Sequence, residues 1–116
     1  AFADLASDPW WEHWNRARGS ARAPGGESMA EAADRILSLA ARLAGGPRGA
    51  RVALVTHADL IRGLVARVLG LPLDHLLRFE VGPASVSRLE AGPWGMRLLS
   101  LNEPPPPALA RLESAA

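Results

Sequence analysis

Two kinds of group able to handle an anion meet at one point in this sequence: a titratable imidazole and the opening amides of a helix. The stretch is Arg51-Val-Ala-Leu-Val-Thr-His57-Ala-Asp-Leu-Ile-Arg62. Val52 to Val55 are uninterrupted apolar residues, rich in β-branched side chains. That is the pattern of a strand covered on both faces in a parallel sheet. Leu60 to Leu69 then sets Ile61, Leu64, Val65 and Val68 on one helical face. His57 falls at the carboxyl end of the strand, where ligands bind in open α/β sheets. The amides that open the next helix point the same way and favour an anion. An imidazole beside such a cradle points to phosphate chemistry.

Each of these residues also has a plainer role. His57 reads either as a pocket group or as a core histidine bonded to backbone. Asp59 reads as the N-cap of the following helix, where its carboxylate would occupy amides that otherwise face an anion. Arg62, one turn into that helix, faces the phosphate or else pairs with Asp59 or solvent. Glu27 orients pocket groups or is a first-turn acid favoured by the helix dipole. Ser28 is a cap rather than a nucleophile. Trp10, Trp11, Trp14 and Arg16 form a lid or simply pack. His57 with Asp59, His13 or His75 matches no metal-ligand spacing, so no metal or cofactor is expected.

The elements that must position these groups are legible from pattern. Residues 2–18 form a Trp-rich helical or irregular segment, and 19–27 are a loop by composition. Ser28 followed by Glu31 is a capping box. Met29, Ala33, Ile36, Leu37, Ala40 and Leu43 repeat at helical spacing until Gly45-Gly46-Pro47. Glu31 and Arg35 stand four residues apart as an ion pair on that helix. After the strand–His57–helix unit, Gly70-Leu-Pro-Leu is a stop and a turn. Phe79 to Val81, Ser85 to Glu90 and Met96 to Leu101 read as strands. Ala91-Gly-Pro-Trp-Gly joins the last two as a hairpin. From Pro104 the tail is rich in Pro and Ala. This order predicts an α/β fold with a mixed sheet. One domain portion spans 1–103 and a tail spans 104–116.

Composition narrows the classes. The chain has 116 residues, 48% of them hydrophobic, which suits one small globular core. The 13 basic residues are all Arg, scattered, against 12 acidic ones, a net charge of +1. That argues against nucleic acid. No run approaches the roughly 18 apolar residues of a membrane span, and no signal-peptide pattern opens the chain. Cysteine is absent, which excludes disulfides and a thiolate nucleophile and fits a cytoplasmic location. A strand as apolar as Val52–Val55 needs neighbours on both edges, and the sequence offers it few. The opening Ala-Phe-Ala-Asp-Leu also lacks Met and a cap. Both features are expected of the later part of a longer polypeptide.

Three ordered motifs carry a resemblance. Gly26-Glu27-Ser28 before an amphipathic helix, Val-Ala-Leu-Val-Thr-His57-Ala-Asp-Leu-Ile-Arg62 after it, and then Leu-Gly-Leu-Pro-Leu resemble the histidine phosphatase superfamily, the phosphoglycerate-mutase-like fold, in its small bacterial phosphatase branch. Val81-Gly-Pro-Ala-Ser-Val-Ser-Arg-Leu resembles the segment where that family's last strands begin. The resemblance runs from about Asp8 to Asn102. It implies a partial three-layer α/β/α fold lacking its N-terminal strands.

It also implies phosphoryl transfer through a phosphohistidine, with His57 as the family's second pocket histidine. His57 is then the catalytic residue here, and Ala58, Glu27 and Arg62 are the substrate-binding ones. The family's nucleophile lies in an Arg-His-Gly motif on its first strand, and that triplet occurs nowhere in this sequence. The Ala58-Asp59 pair departs from the family's commoner His-Gly pattern. One histidine cannot both attack phosphorus and clamp it. The 116-residue chain alone is therefore expected to be inactive, and its parent to hydrolyse a phosphorylated small-molecule substrate. A mutase within the same fold and a non-catalytic phosphate- or partner-binding half-domain are the alternatives. A complementing N-terminal segment or a homodimer would supply the missing sheet edge.

Overall fold

The computed structural model of the chain describes residues 17, 19–20 and 26–105. The Trp-rich segment with Trp10, Trp11, Trp14, Arg16 and His13, the loop at 21–25 and the tail from 106 lie outside the described residues. Helix α1 is Met29–Ala44, helix α2 is Ala58–Leu69, a 3-10 helix spans Leu73–Arg78, and strands β1 and β2 are Val86–Gly92 and Gly95–Glu103.

Local signals set the helix ends. Ser28 caps α1 through a complete capping box: the Glu31 amide donates to Ser28 Oγ at 3.2 Å, and the Ser28 amide donates to Glu31 Oε1 at 3.3 Å. The C-terminus of α2 closes on Gly70, whose φ of 72° lies in the left-handed region that favours glycine. Leu71 N–H donates to the Ala66 carbonyl at 2.8 Å and Gly70 N–H to the Arg67 carbonyl, a Schellman arrangement. Pro72 then prevents the helix from continuing.

The core lies where α1, α2 and the 3-10 helix meet. Met29, Ala32, Ala33, Ala66, Leu73 and Leu76 form one buried cluster. The helices approach most closely at Gly63. A Cβ placed there would stand 2.8 Å from the Met29 methyl and 3.2 Å from Ala33 Cβ. Arg67 reaches Asp34 at 3.1 Å across the same pair of helices. Asp74 accepts the Gly19 amide at 2.7 Å, tying the chain ahead of α1 to the 3-10 helix.

The hairpin follows the predicted pattern. β1 and β2 pair antiparallel, with Leu89 opposite Leu98 and Gly92 opposite Gly95 across a Pro93-Trp94 turn. The Arg97 guanidinium lies 4.8 Å from the centre of the Trp94 ring. Asn102 sits at φ 56° in β2, and its side chain accepts the Gly82 amide at 2.8 Å. That bond fixes the approach to the hairpin.

Two expectations do not hold among the described residues. Val52–Val55 is not a buried strand: residues 51–57 join no ladder, and Val55 is 98% exposed. Its apolar character is that of a segment covered on both faces, but no described strand lies beside it. Phe79–Val81 is not a strand either. The 3-10 helix takes residues up to Arg78, and Val81 is buried as an irregular anchor instead. The α/β class stands, and the sheet described is the two-stranded antiparallel hairpin alone.

The packing gives two stability predictions. Leu76 is fully buried and Leu77 is 56% exposed. Leu76→Ala should therefore destabilise by about 2–5 kcal/mol, and Leu77→Ala by no more than about 0.5 kcal/mol. Equal shifts in the urea midpoint would contradict the core assignment. Gly63→Val overpacks the helix contact and should cost about 1–3 kcal/mol in the same measurement.

Candidate functional site

The N-termini of α1 and α2 open onto one cleft of about 280 Å³. Met29, Ala32 and Leu60 form its apolar floor. Glu27, Arg35, His57 and Asp59 supply its charged and titratable groups, and Ser28 completes the lining. The Gly63 contact brings the two helices close enough for both ends to share this space.

The two termini differ in how their amides are satisfied. At α1 the capping box closes the end with the protein's own side chains. At α2 the N-cap is His57, in extended backbone at φ −89° and ψ 154°, and no side chain caps the helix. The Leu60 and Ile61 amides turn back to the His57 carbonyl at 3.1 Å each. Among the described residues, no bond engages the Ala58 and Asp59 amides, which leaves them as donors for an incoming anion. Asp59 is therefore not the cap that its position in the sequence suggested. Its carboxylate reaches forward by one turn and accepts from Arg62 Nη1 at 3.0 Å.

The predicted site residues fall into two groups. Glu27 and His57 line the cleft, and Ala58 stands between two lining residues as the first residue of α2. His57 is exposed, and no hydrogen bond or ion pair engages its side chain among the described residues. Arg62 is not part of the lining. It is mostly buried, with 14% of its side chain exposed, and lies between Asp59 and Glu80, the latter at 3.6 Å.

Arg35 is the residue that sequence reasoning missed. Its spacing suggested Glu31 as partner, but Glu31 serves the Ser28 cap and Arg35 Nη2 bonds Glu27 Oε1 at 2.8 Å. The hydrogen bond to Glu27, and then the charge of Glu27, raise the Arg35 guanidinium above its ordinary value, against a weak burial effect. The available signal was the seven-residue step from Ser28 to Arg35, two turns along one helix face.

The arrangement can therefore bind an anion from three sides: open amides, an unengaged imidazole and a guanidinium held by a carboxylate. Among the described residues, no group of three or more His, Asp or Glu side chains could hold a metal ion. None of the described helices is long and apolar enough to cross a membrane.

Known proteins resemble this chain in both sequence and shape. Proteins named "Probable phosphoglycerate mutase GpmB" in Salmonella paratyphi B and Salmonella newport are 39% identical over 69 residues, 60% of this chain. The match covers only 32% of their length, so it spans about a third of these curated relatives. A crystal structure of a phosphoserine phosphatase mutant from Entamoeba histolytica, in complex with phosphoserine, superposes with a TM-score of 0.75 at 16% identity. It covers 88% of this chain and 52% of that one, and shows a shared fold. The model of the histidine phosphatase superfamily (branch 1) matches residues 2–104. The chain belongs to the histidine phosphatase superfamily.

Proposed function

We propose that this chain supplies the second pocket histidine, His57, of an enzyme that hydrolyses phosphate monoesters through a phosphohistidine. The observation that carries this reading is the exposed His57 imidazole, which no described residue engages, at the N-terminus of α2, where no side chain caps the helix. A transferring phosphoryl group spreads negative charge over its equatorial oxygens, so the protein's work is positioning and positive charge. A protonated His57 and the Ala58 amide would each donate to those oxygens. Glu27 would act through Arg35, holding the guanidinium at the cleft wall while a substrate enters. The attacking imidazole would come from an Arg-His-Gly segment outside this sequence.

The same reading gives a role to Arg51–Thr56. This segment joins no described ladder and is exposed from Arg51 to Val55; it would be covered by a complementing N-terminal segment, or by a second copy, adding strands on its edges. The substrate would be a phosphorylated small molecule, and the location cytoplasmic, where a chain without cysteine needs no oxidising environment. A mutase is the second reading, favoured by the names of the 39% identical relatives. It shares the first transfer to histidine and differs in returning the phosphoryl group to the product.

Turnover of a phosphate monoester tests the assignment. The isolated chain should show none. In a polypeptide that joins it to an Arg-His-Gly segment, His57→Ala should lower phosphate release by roughly 10²-fold or more, the scale of losing one transition-state donor. Near-normal release in that variant would sink the reading. Isomerisation of a phosphorylated acid without net phosphate release would favour the mutase.

A further inference from the structure

We infer that Arg62 is a positioning residue, which holds the Asp59 carboxylate away from the first-turn amides of α2 and so keeps them open to phosphate. This rests on the anion-binding reading of the His57 cleft and adds a residue outside that cleft. Three observations support it. Asp59 is in the first turn of α2, where a carboxylate is drawn to the unsatisfied amides by the positive end of the helix. It nonetheless caps nothing, and its Oδ1 accepts from Arg62 Nη1 at 3.0 Å instead. Arg62 is in turn flanked by Glu80 at 3.6 Å, and its Nε is buried without a hydrogen-bond partner. The guanidinium thus sits in a mostly buried slot between two carboxylates.

The consequence is electrostatic. Among the described residues, the cleft lining holds Glu27 and Asp59 against the single guanidinium of Arg35. An Asp59 carboxylate turned onto the amides would fill the donors that an incoming phosphate needs, and its charge would repel that phosphate. Paired with Arg62, the carboxylate is neutralised locally and its Oδ1 is occupied by the guanidinium. Arg62 would therefore act on phosphate without touching it.

The test uses the 116-residue protein and inorganic phosphate as the probe, with binding followed through the Ala58 and Asp59 amide resonances. Arg62→Gln should weaken phosphate binding by roughly tenfold, the scale of one charge effect at a helix terminus. Adding Asp59→Asn to that variant should restore binding to within about twofold, because no carboxylate remains to be held. A purely structural role predicts that the second substitution rescues nothing, and that result would overturn the proposal. Asp59→Asn alone should change binding by about twofold or less. This arm holds even where Arg62→Gln compromises folding, and strong tightening in it would also overturn the proposal. A crystal structure of the Arg62→Gln variant gives a readout independent of phosphate: the Asp59 carboxylate should stand at hydrogen-bond distance from the first-turn amides. If the wild-type protein fails to bind phosphate while that rotation is seen, the positioning role survives and the phosphate reading falls. If phosphate binds but the carboxylate stays in place in the variant, the positioning role falls.

Discussion

The close approach of α1 and α2 at Gly63 is the constraint from which the rest follows. A Cβ at this position would stand 2.8 Å from the Met29 methyl, the end of a flexible side chain, and 3.2 Å from the Ala33 Cβ, so glycine allows the tightest approach of the second helix. Small residues continue the seam, since Ala33 and Ala66 are fully buried. Tight packing of this kind has few alternative arrangements. It therefore fixes the separation of the two helix N-termini, and with it the width of the cleft. The Arg67–Asp34 pair and the Asp74 bond to Gly19 add orientation to a contact that is set by shape.

Two helix ends facing one space would ordinarily be equivalent anion sites, and here they are not. The first is closed by its own serine and glutamate. The second begins on a histidine whose side chain caps nothing, and the carboxylate in its first turn, Asp59, is directed onto an arginine. Local sequence thus gives the cleft an asymmetry that backbone geometry alone does not provide. The charges around it come in opposed pairs, Glu27 with Arg35 and Asp59 with Arg62, which lowers the electrostatic cost of bringing so many ionised groups together. Surface pairs of this type contribute little stability by themselves. Their weight is in where they hold each side chain.

How much was legible in the sequence depended on the range of the interaction. The capping box at Ser28 and Glu31, the glycine stop at Gly70 and the Pro93-Trp94 hairpin are local, and the residue types alone specified them. The start of the helix directly after His57 was legible because the change from an apolar run to a helical pattern is also local. Asp59 was misread since capping and ion pairing compete for the same carboxylate, and a sequence does not show that Arg62 is anchored by Glu80 from the next element. Arg35 was missed for the related reason that its partner lies eight residues back, ahead of the cap. Val52–Val55 was read as a buried strand, and among the described residues it is neither buried nor part of a ladder. Burial depends on neighbours in space, and none of the described strands is one. Phe79–Val81 follows a 3-10 helix that Pro72 precedes and that buries Leu73 and Leu76, and it pairs with no described strand.

The segment from Arg51 to Thr56 also bears on how firmly His57 is aimed. The imidazole hangs at the junction of two supports. On its carboxyl side is a helix locked into the core by Leu64, Val65 and Ala66. On its amino side is a strut that no described ladder braces. A side chain carried in this way behaves as the tip of a cantilever: its height above the cleft is set by the helix, and its sideways aim by whatever stiffens the strut. Added strands along Val52–Val55 would bury apolar surface and, in the same event, narrow the arc through which His57 swings. The bracing of Val52–Val55 and the aim of the His57 side chain are thereby mechanically the same degree of freedom.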